Sequence, residues 1–303
     1  GKAMLISHLG RAGGQADPDL GLAWLADHLG TLIEERGRFS GNTVGDTVGE
    51  VIDGSSDGSV ILLESARFDA GEKSNDDACG NGLAYLADVY VNDAFGAAHR
   101  AHASTAGVAP FVDTAVMGRL MEKEIKALTR VRDHPEHPMV AILGGSKVSD
   151  KLGTIRALSK TADHLLVGGA MSYTFLQMLG HEVGASRIEA DRLETAESLY
   201  EEAEDTLLLP SDHVVADAPE AEAEASVVEG DLPEGKMGLD IGPATIETYR
   251  TAILDAATIV WNGPMGVFEL EQFAQGTMAI AQATADATDD GAFSVVGGGD
   301  SVS

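Results

Sequence analysis

The chain has 303 residues, 44% of them hydrophobic, and sets 49 acidic against 20 basic side chains for a formal net charge of −29. That length and apolar content suffice for two packed domains, while nucleic acid and anionic membrane are poor partners for such a surface because both demand a basic patch. No apolar run approaches the roughly 20 residues of a membrane span, nothing resembles a signal peptide although the first residue is Gly1, and the single cysteine, Cys79, rules out an internal disulfide framework and fits a reducing cytoplasm.

In chain order, Ala3-Met4-Leu5-Ile6 reads as a buried strand, followed by a loop at 10–14. Pro18 stands where a helix can begin, and Leu20, Leu22, Ala23, Leu25, Ala26 and Leu29 recur at helical spacing. Strands are expected at 60–63 and 89–91, with a helix that includes 83–87 between them. Residues 117–131 form a continuous helical stretch with Leu120, Met121, Glu124, Ile125 and Leu128 on one face. Pro135 and Pro138 then stop regular structure, so the domain junction is placed here. The second half predicts strands at 139–143, 164–168, 213–217, 257–261 and 293–296, and helices at 149–161, 170–179, 190–207 and 272–287. The Ala- and Glu-rich stretch 219–229 reads as a solvated acidic connection. The alternation of strands and helices predicts an α/β fold with two doubly wound, Rossmann-like parallel sheets. Disorder is the other reading of so large a charge, but the hydrophobic content and periodicity argue for a folded protein in concentrated salt. At about 1 M salt the Debye length is ~3 Å, which screens repulsion among surface carboxylates. With only eight lysines, the composition is that of a halophile's cytoplasmic enzyme.

Glycine-rich turns at strand ends are where a doubly wound sheet binds its ligand, and the second half has four. Gly144-Gly145-Ser146-Lys147-Val148-Ser149-Asp150-Lys151 places two lysines four apart at a helix start, where glycines admit a phosphate and the helix end adds positive potential. The spacing is not that of a Walker A loop, and two solvated surface lysines are the plain alternative. Gly168-Gly169-Ala170-Met171 joins a strand to a helix, and close packing alone accounts for its glycines. In Trp261-Asn262-Gly263-Pro264-Met265-Gly266-Val267-Phe268-Glu269, Asn262 and Glu269 offer hydrogen bonds to a nucleotide, and Trp261 and Phe268 read as core. Gly297-Gly298-Gly299-Asp300-Ser301 supplies N–H groups for anionic oxygens and, in Asp300, a carboxylate for a phosphate-bound Mg²⁺. Alone each is a tight turn; together they favour a nucleotide site.

The first half carries a different kit. His8 and Arg11 follow the first strand in Ser7-His8-Leu9-Gly10-Arg11, Arg67 follows the second, and His99, Arg100 and His102 follow the third. Only twelve arginines occur in the chain, so three at equivalent strand ends point to a pocket for a small anion, which guanidinium groups grip in bidentate fashion. A metal held by His99 and His102 is the rival reading, weakened by the lack of further clustered ligands. No Ser-His-Asp arrangement or paired-carboxylate site is convincing. One half that grips an anion and one that grips a nucleotide suit phosphoryl transfer, which depends on positioning and charge stabilisation. A dinucleotide-dependent oxidoreductase is disfavoured, because no Gly-x-Gly-x-x-Gly opens a strand–helix unit near the start.

In order along the chain, Ser-His-Leu-Gly-Arg, Asn-Asp-Ala-Phe-Gly-x-Ala-His-Arg-Ala-His, Leu-Gly-Gly-Ser-Lys-Val-x-Asp-Lys, Asp240-Ile241-Gly242-Pro243, Trp-Asn-Gly-Pro-x-Gly-Val-Phe-Glu and Gly-Gly-Gly-Asp resemble the phosphoglycerate kinase family. The resemblance implies phosphoryl transfer from 1,3-bisphosphoglycerate to ADP with Mg²⁺, giving 3-phosphoglycerate and ATP, in a cytoplasmic monomer. It implies a phosphoglycerate domain over 1–116, a hinge helix over 117–131 and a nucleotide domain over 132–303, closing to exclude water. His8, Leu9, Gly10, Arg11, Arg67 and Arg100 match substrate-binding positions, and Arg11 and Lys147 the catalytic ones, with Lys147 stabilising the phosphoryl group in flight. Gly145, Lys151, Gly169, Asn262, Glu269, Gly297, Gly298, Gly299, Asp300 and Ser301 match nucleotide contacts, Glu269 at the ribose and Asp300 at the metal. By the same resemblance the chain opens after the family's first strand and ends before its last helix, with Ser65 and Ser301 in place of Asn and Thr. An inactive or nucleotide-binding-only fragment is therefore the alternative, and a halophilic archaeon the expected source.

Overall fold

The computed structural model describes residues 1–33 and 37–299. The chain divides into two compact units, Gly1–Lys126 and Ala127–Ser303.

In the first unit β1 (Ala3–Leu5), α1 (Ala23–Leu32), β2 (Gly37–Phe39), α2 (Asp46–Asp53) and β3 (Val60–Leu62) come first, then α3 (Asp77–Ala84), β4 (Val89–Asn92) and β5 (Thr114–Met117). β3 is central in a parallel sheet ordered β1-β3-β2, with Ala3 opposite Val60 and Phe39 opposite Leu62. Its Ile61 and Leu62 are buried, as expected where helices cover a parallel sheet. The helix expected around 83–87 lies further upstream as α3. Its start is fixed by Asp76, whose carboxylate accepts from Ala78 N at 2.9 Å and Cys79 N at 3.2 Å, satisfying donors that have no partner in the first turn. β4 and β5 form a separate parallel pair. Among the described residues β1 and β4 each keep a free edge, and a cavity of about 760 Å³ touches both, lined by Met4, Ile6, Leu63, Leu83 and Tyr90.

α4 (Arg119–Asp133) carries the chain from the first unit into the second. Beyond it come β6 (Met139–Leu143), α5 (Leu152–Leu158), β7 (His164–Val167), α6 (Met171–Met178), α7 (Leu193–Ala203) and β8 (Leu207–Leu208). They are followed by β9 (Asp212–Ala216), β10 (Ser226–Glu229), β11 (Met237–Ile241), α8 (Pro243–Leu254), β12 (Thr258–Asn262), α9 (Gln275–Asp289) and β13 (Phe293–Gly297). Five strands make one parallel sheet ordered β13-β12-β6-β7-β8. β6 is wholly buried, and its alternate residues serve two cores. Met139, Ala141 and Leu143 pack with Ile155, Phe175 and Leu199 on one face, Val140 and Ile142 with Tyr249, Ile253 and Ile280 on the other. That is the doubly wound arrangement.

Two further expectations change, and one helix is new. Residues 213–217 do not join the parallel sheet but form the middle strand of an antiparallel one, β10-β9-β11. The stretch 219–229 is not wholly a connection, because β10 occupies its end: Val227 and Val228 supply β-branched residues that pair with Val214 and His213. α8 was not anticipated, although Pro243 at its first turn is a start signal. Asp212 completes it by accepting from Ala244 N and Thr245 N, each at 2.8 Å, and from Thr245 Oγ1 at 2.6 Å.

Candidate active site

The second unit begins its sheet in the middle. From β6 the chain builds outward through β7 to β8, then returns to place β12 and β13 on the other side. The switch point therefore lies between β6 and β12, and the crevice outside their carboxyl ends is where such a sheet binds ligands. The four glycine-rich turns leave β6, β7, β12 and β13 at this edge.

Three of these turns pack backbone against backbone. Gly144 N–H donates to Asn262 O at 3.0 Å, Gly145 N–H to Pro264 O at 3.1 Å and Gly169 N–H to Met265 O at 2.9 Å. A Cβ on Gly144 would stand 2.0 Å from Pro264 O, and Gly169 holds φ +67° with a Cβ position 2.6 Å from Gly145 N. Side chains are excluded at both positions by contact, and at Gly169 by conformation as well. Trp261 is buried in the core, and its indole N–H donates to Gly263 O at 2.8 Å.

Asn262 ends β12 with Leu143 and Gly297 as its register partners on either side. Its Oδ1 accepts from Lys151 Nζ, and its amide lies 3.5 Å from the Cβ positions of Gly297 and Gly298. Lys151, Asn262 and the open backbone from Gly297 to Gly299 thus stand together. Asp300 and Ser301 lie outside the described residues. Lys147 is exposed on the β6 turn, with no hydrogen bond or ion pair among the described residues.

Beside these groups is a cavity of about 320 Å³ lined in part by Gly145, Gly169, Leu239, Phe268 and Glu269. Phe268, read as core from the sequence, forms part of its wall instead. Asp240 lines it too, buried, accepting from Gly276 N at 2.7 Å and Ile241 N at 2.9 Å. Burial raises its carboxyl to about 7, against the pull of those two N–H groups.

In the first unit, Arg67 is buried on a short turn after β3, and its Nη1 donates to Gly10 O at 2.7 Å. Its Nε is buried and meets no acceptor among the described residues. A buried charged donor costs free energy unless an acceptor meets it, so Arg67 suits an anionic oxygen at this strand end. His8 is held below the ordinary imidazole range by burial first, then by the charge of Arg67, with Arg100 and His102 adding to it and Glu72 opposing. These effects bring His8, Arg67 and Arg100 into one electrostatic neighbourhood. Arg11 and Leu9 are exposed on the same loop, and Arg11 makes no hydrogen bond or ion pair among the described residues. His102 approaches Glu72 at 3.5 Å, while Glu72 also accepts from Ser104 N at 2.9 Å and Ser104 Oγ at 2.6 Å. This imidazole braces the loop.

Two residues escaped the sequence reading. Glu189 accepts from Ser149 N at 3.0 Å and Ser149 Oγ at 2.6 Å, and its own N–H donates to Thr174 Oγ1 at 3.1 Å. Burial pushes its carboxyl up, but the bonds from Ser149 and Val148 N, with the charge of Lys147, hold it below its ordinary range. Arg187 lines the 320 Å³ cavity. Nothing local in the sequence marks either one, since both act on segments tens of residues away.

A family model described as phosphoglycerate kinase matches residues 1–303. A phosphoglycerate kinase from Salinibacter ruber is 79% identical over 303 residues, spanning 100% of this chain and 76% of the relative. One from Chlorobaculum tepidum is 48% identical over 305 residues, spanning 99% and 77%. The solved phosphoglycerate kinase of Coxiella burnetii superposes with a TM-score of 0.87 at 39% identity, covering 99% of this chain and 76% of that one. The relative at 79% identity is bacterial, so an archaeal source finds no support here.

Proposed function

This chain belongs to the phosphoglycerate kinase family, and from that premise we propose how its residues divide the work. The activity is that of a phosphotransferase, moving a phosphoryl group from 1,3-bisphosphoglycerate to ADP to give 3-phosphoglycerate and ATP in glycolysis. We assign the second unit to the nucleotide. Lys151, Asn262, Gly145, Gly169 and Gly297 to Gly299, with Ser301, take its phosphates, and Glu269 its ribose. We assign the first unit to the phosphoglycerate, held by His8, Arg67 and Arg100, the backbone at Leu9 and Gly10, and Arg11. α4 joins the two.

Lys147 and Arg11 are the groups assigned to the charge that develops on the transferring phosphoryl. A fixed cation aimed there lowers the barrier without reorganisation at the moment of reaction. Mg²⁺ fits the open backbone of Gly297 to Gly299 beside Asn262, because this ion usually rides on nucleotide phosphates and takes few protein ligands. Asp300, next in the chain, would hold it, and the ion would neutralise phosphate charge. The acidic surface is read as adaptation to concentrated salt, in a cytoplasmic monomer that meets neither nucleic acid nor membrane. No described helix is long and apolar enough to cross a membrane.

The observation that carries this reading is the convergence of four glycine turns and Lys151–Asn262 at the switch point of the sheet. Supplying ADP, Mg²⁺ and 1,3-bisphosphoglycerate in molar salt should yield ATP. ADP binding without ATP formation would leave a nucleotide-binding fragment, and binding of neither substrate would overturn the assignment.

A further inference from the structure

Residue 187 stands on a loop pinned on both sides. Before it, Ala185 N–H donates to Lys236 O at 2.7 Å and Ser186 Oγ accepts from Gly238 N at 2.9 Å, which ties the loop to β11. Met237 to Asp240 of β11 form one wall of the 320 Å³ cavity. After it, Ile188 packs in a small core with Tyr173, and Glu189 is bonded to the Lys147 turn and to α6. Arg187 is left between these anchors, exposed and lining the cavity.

Its surroundings are unusual for an arginine in this chain. With 49 carboxylates available, Arg187 makes no hydrogen bond or ion pair among the described residues, and it is the one cation lining the cavity. Of the two carboxylates in that lining, Asp240 is engaged by Gly276 and Ile241 N–H. Much of the rest is glycine backbone, Leu239, Met265, Val267 and Phe268, which offer little to read the edge of a base. A guanidinium is planar and weakly hydrated, so it loses little by lying on an aromatic face, which an ammonium cannot do as well.

Resting on the nucleotide reading of this cavity, we propose that Arg187 is a base-binding residue whose guanidinium lies on the face of the purine. Every purine has such a face, so adenine and guanine diphosphates both report the contact. The test measures binding of MgADP, MgGDP and inorganic tripolyphosphate to the 303-residue chain by calorimetry in molar salt, for the wild type, Arg187→Leu and Arg187→Lys. Arg187→Leu should weaken both by about 3- to 30-fold, Arg187→Lys should not recover the loss, and tripolyphosphate should change less than about twofold. An equal loss for tripolyphosphate would make Arg187 a phosphate ligand and overturn the proposal. So would unchanged nucleotide affinity or full recovery by lysine. Wild-type chain that binds no nucleotide would remove the pocket reading itself, together with this inference. Wild type that binds ADP while Arg187→Leu is silent would remove this inference alone.

Discussion

Glu189 offers the sharpest test of how the transfer lysine is held. Its carboxylate accepts from Ser149 N and Oγ, two residues after Lys147, while its backbone is fastened to Thr174. Val148 is fully buried, so the turn is anchored from below by packing and from the side by this carboxylate. Hydrogen bonds to a charged group contribute about 1.5–3 kcal/mol each. The site is partly exposed, and water replaces some of what is lost, so about 1–2 kcal/mol in total is the reasonable figure for Glu189→Ala. If that energy holds Lys147 in its working position, turnover falls about 5- to 30-fold. The ADP contacts at Asn262, Glu269 and Gly297 to Gly299 are untouched, so KM for ADP should move less than about threefold. Glu189→Gln keeps one acceptor oxygen and should recover roughly half of the loss. Steady-state kinetics read the split between kcat and KM, and amide exchange over 146–152 reads the bracing directly. Lost protection at Val148 and Ser149 with unchanged turnover would refute the link between this brace and Lys147.

Lys147→Ala should lower kcat about 10²–10³-fold with little change in ADP affinity; turnover within a few-fold of wild type would dismiss it as the transfer lysine. Arg67→Ala and Arg100→Ala should weaken 3-phosphoglycerate binding, each removing a charged contact of about 1.5–3 kcal/mol, and calorimetry should find ADP binding intact. Burial and the charge of Arg67 hold His8 below its ordinary pKa, so a bound anion that raises it draws in a proton. Affinity for 3-phosphoglycerate should therefore rise as pH falls from 8 to 6 more steeply in the wild type than in His8→Asn, and parallel slopes would exclude that role. With a net charge of −29, the melting temperature should fall on transfer from molar to about 0.1 M salt, where the Debye length grows to ~10 Å; an unchanged value would remove the salt reading.

Much of the second unit was legible because its parallel strands are continuous apolar runs ending in glycine turns, as Met139 to Gly144 illustrates. What stayed hidden depends on partners distant in sequence. β9 reads like any strand of the main sheet, and only pairing with Val227 and Gly238 assigns it to the antiparallel one. Phe268 looked like core because an aromatic in an apolar run usually is, but the turn at Gly266 carries it into the cavity wall. Asp240 was visible only as part of a motif, and its burial above the start of α9 gives it an unusual titration. In the first unit, β2 and β5 lacked any strong periodic signal. β5 is exposed at all four positions, which leaves no alternation to read.

Scarcity of cations explains why the site residues were nonetheless detectable. A chain with 49 acids and 20 bases can neutralise nearly every base with a carboxylate, and several are so placed: Arg130 meets Glu136, Arg156 meets Glu202, and Lys236 meets Asp217. Those pairs are exposed or nearly so and contribute little in high salt. Lack of a carboxylate partner is not sufficient by itself, because Lys160 and Arg250, on exposed positions of the second unit, also have none among the described residues. The informative cases combine that lack with a place at the carboxyl end of a strand or in a cavity wall. Among the described residues Lys147 and Arg187 meet both conditions, Arg100 lies unpaired on the loop that follows β4, and Arg67 adds a buried Nε with no acceptor. In an acidic protein, a base that makes no carboxylate ion pair at such a place keeps its N–H donors for a ligand. An added acid nearby should therefore harm function more than stability: Ser146→Asp, beside Lys147, should weaken ADP binding at low salt, lose much of that effect in molar salt, and leave the melting temperature nearly unchanged. A loss that persists undiminished in molar salt would mean that shape, and not preserved charge, is what the acid disturbs.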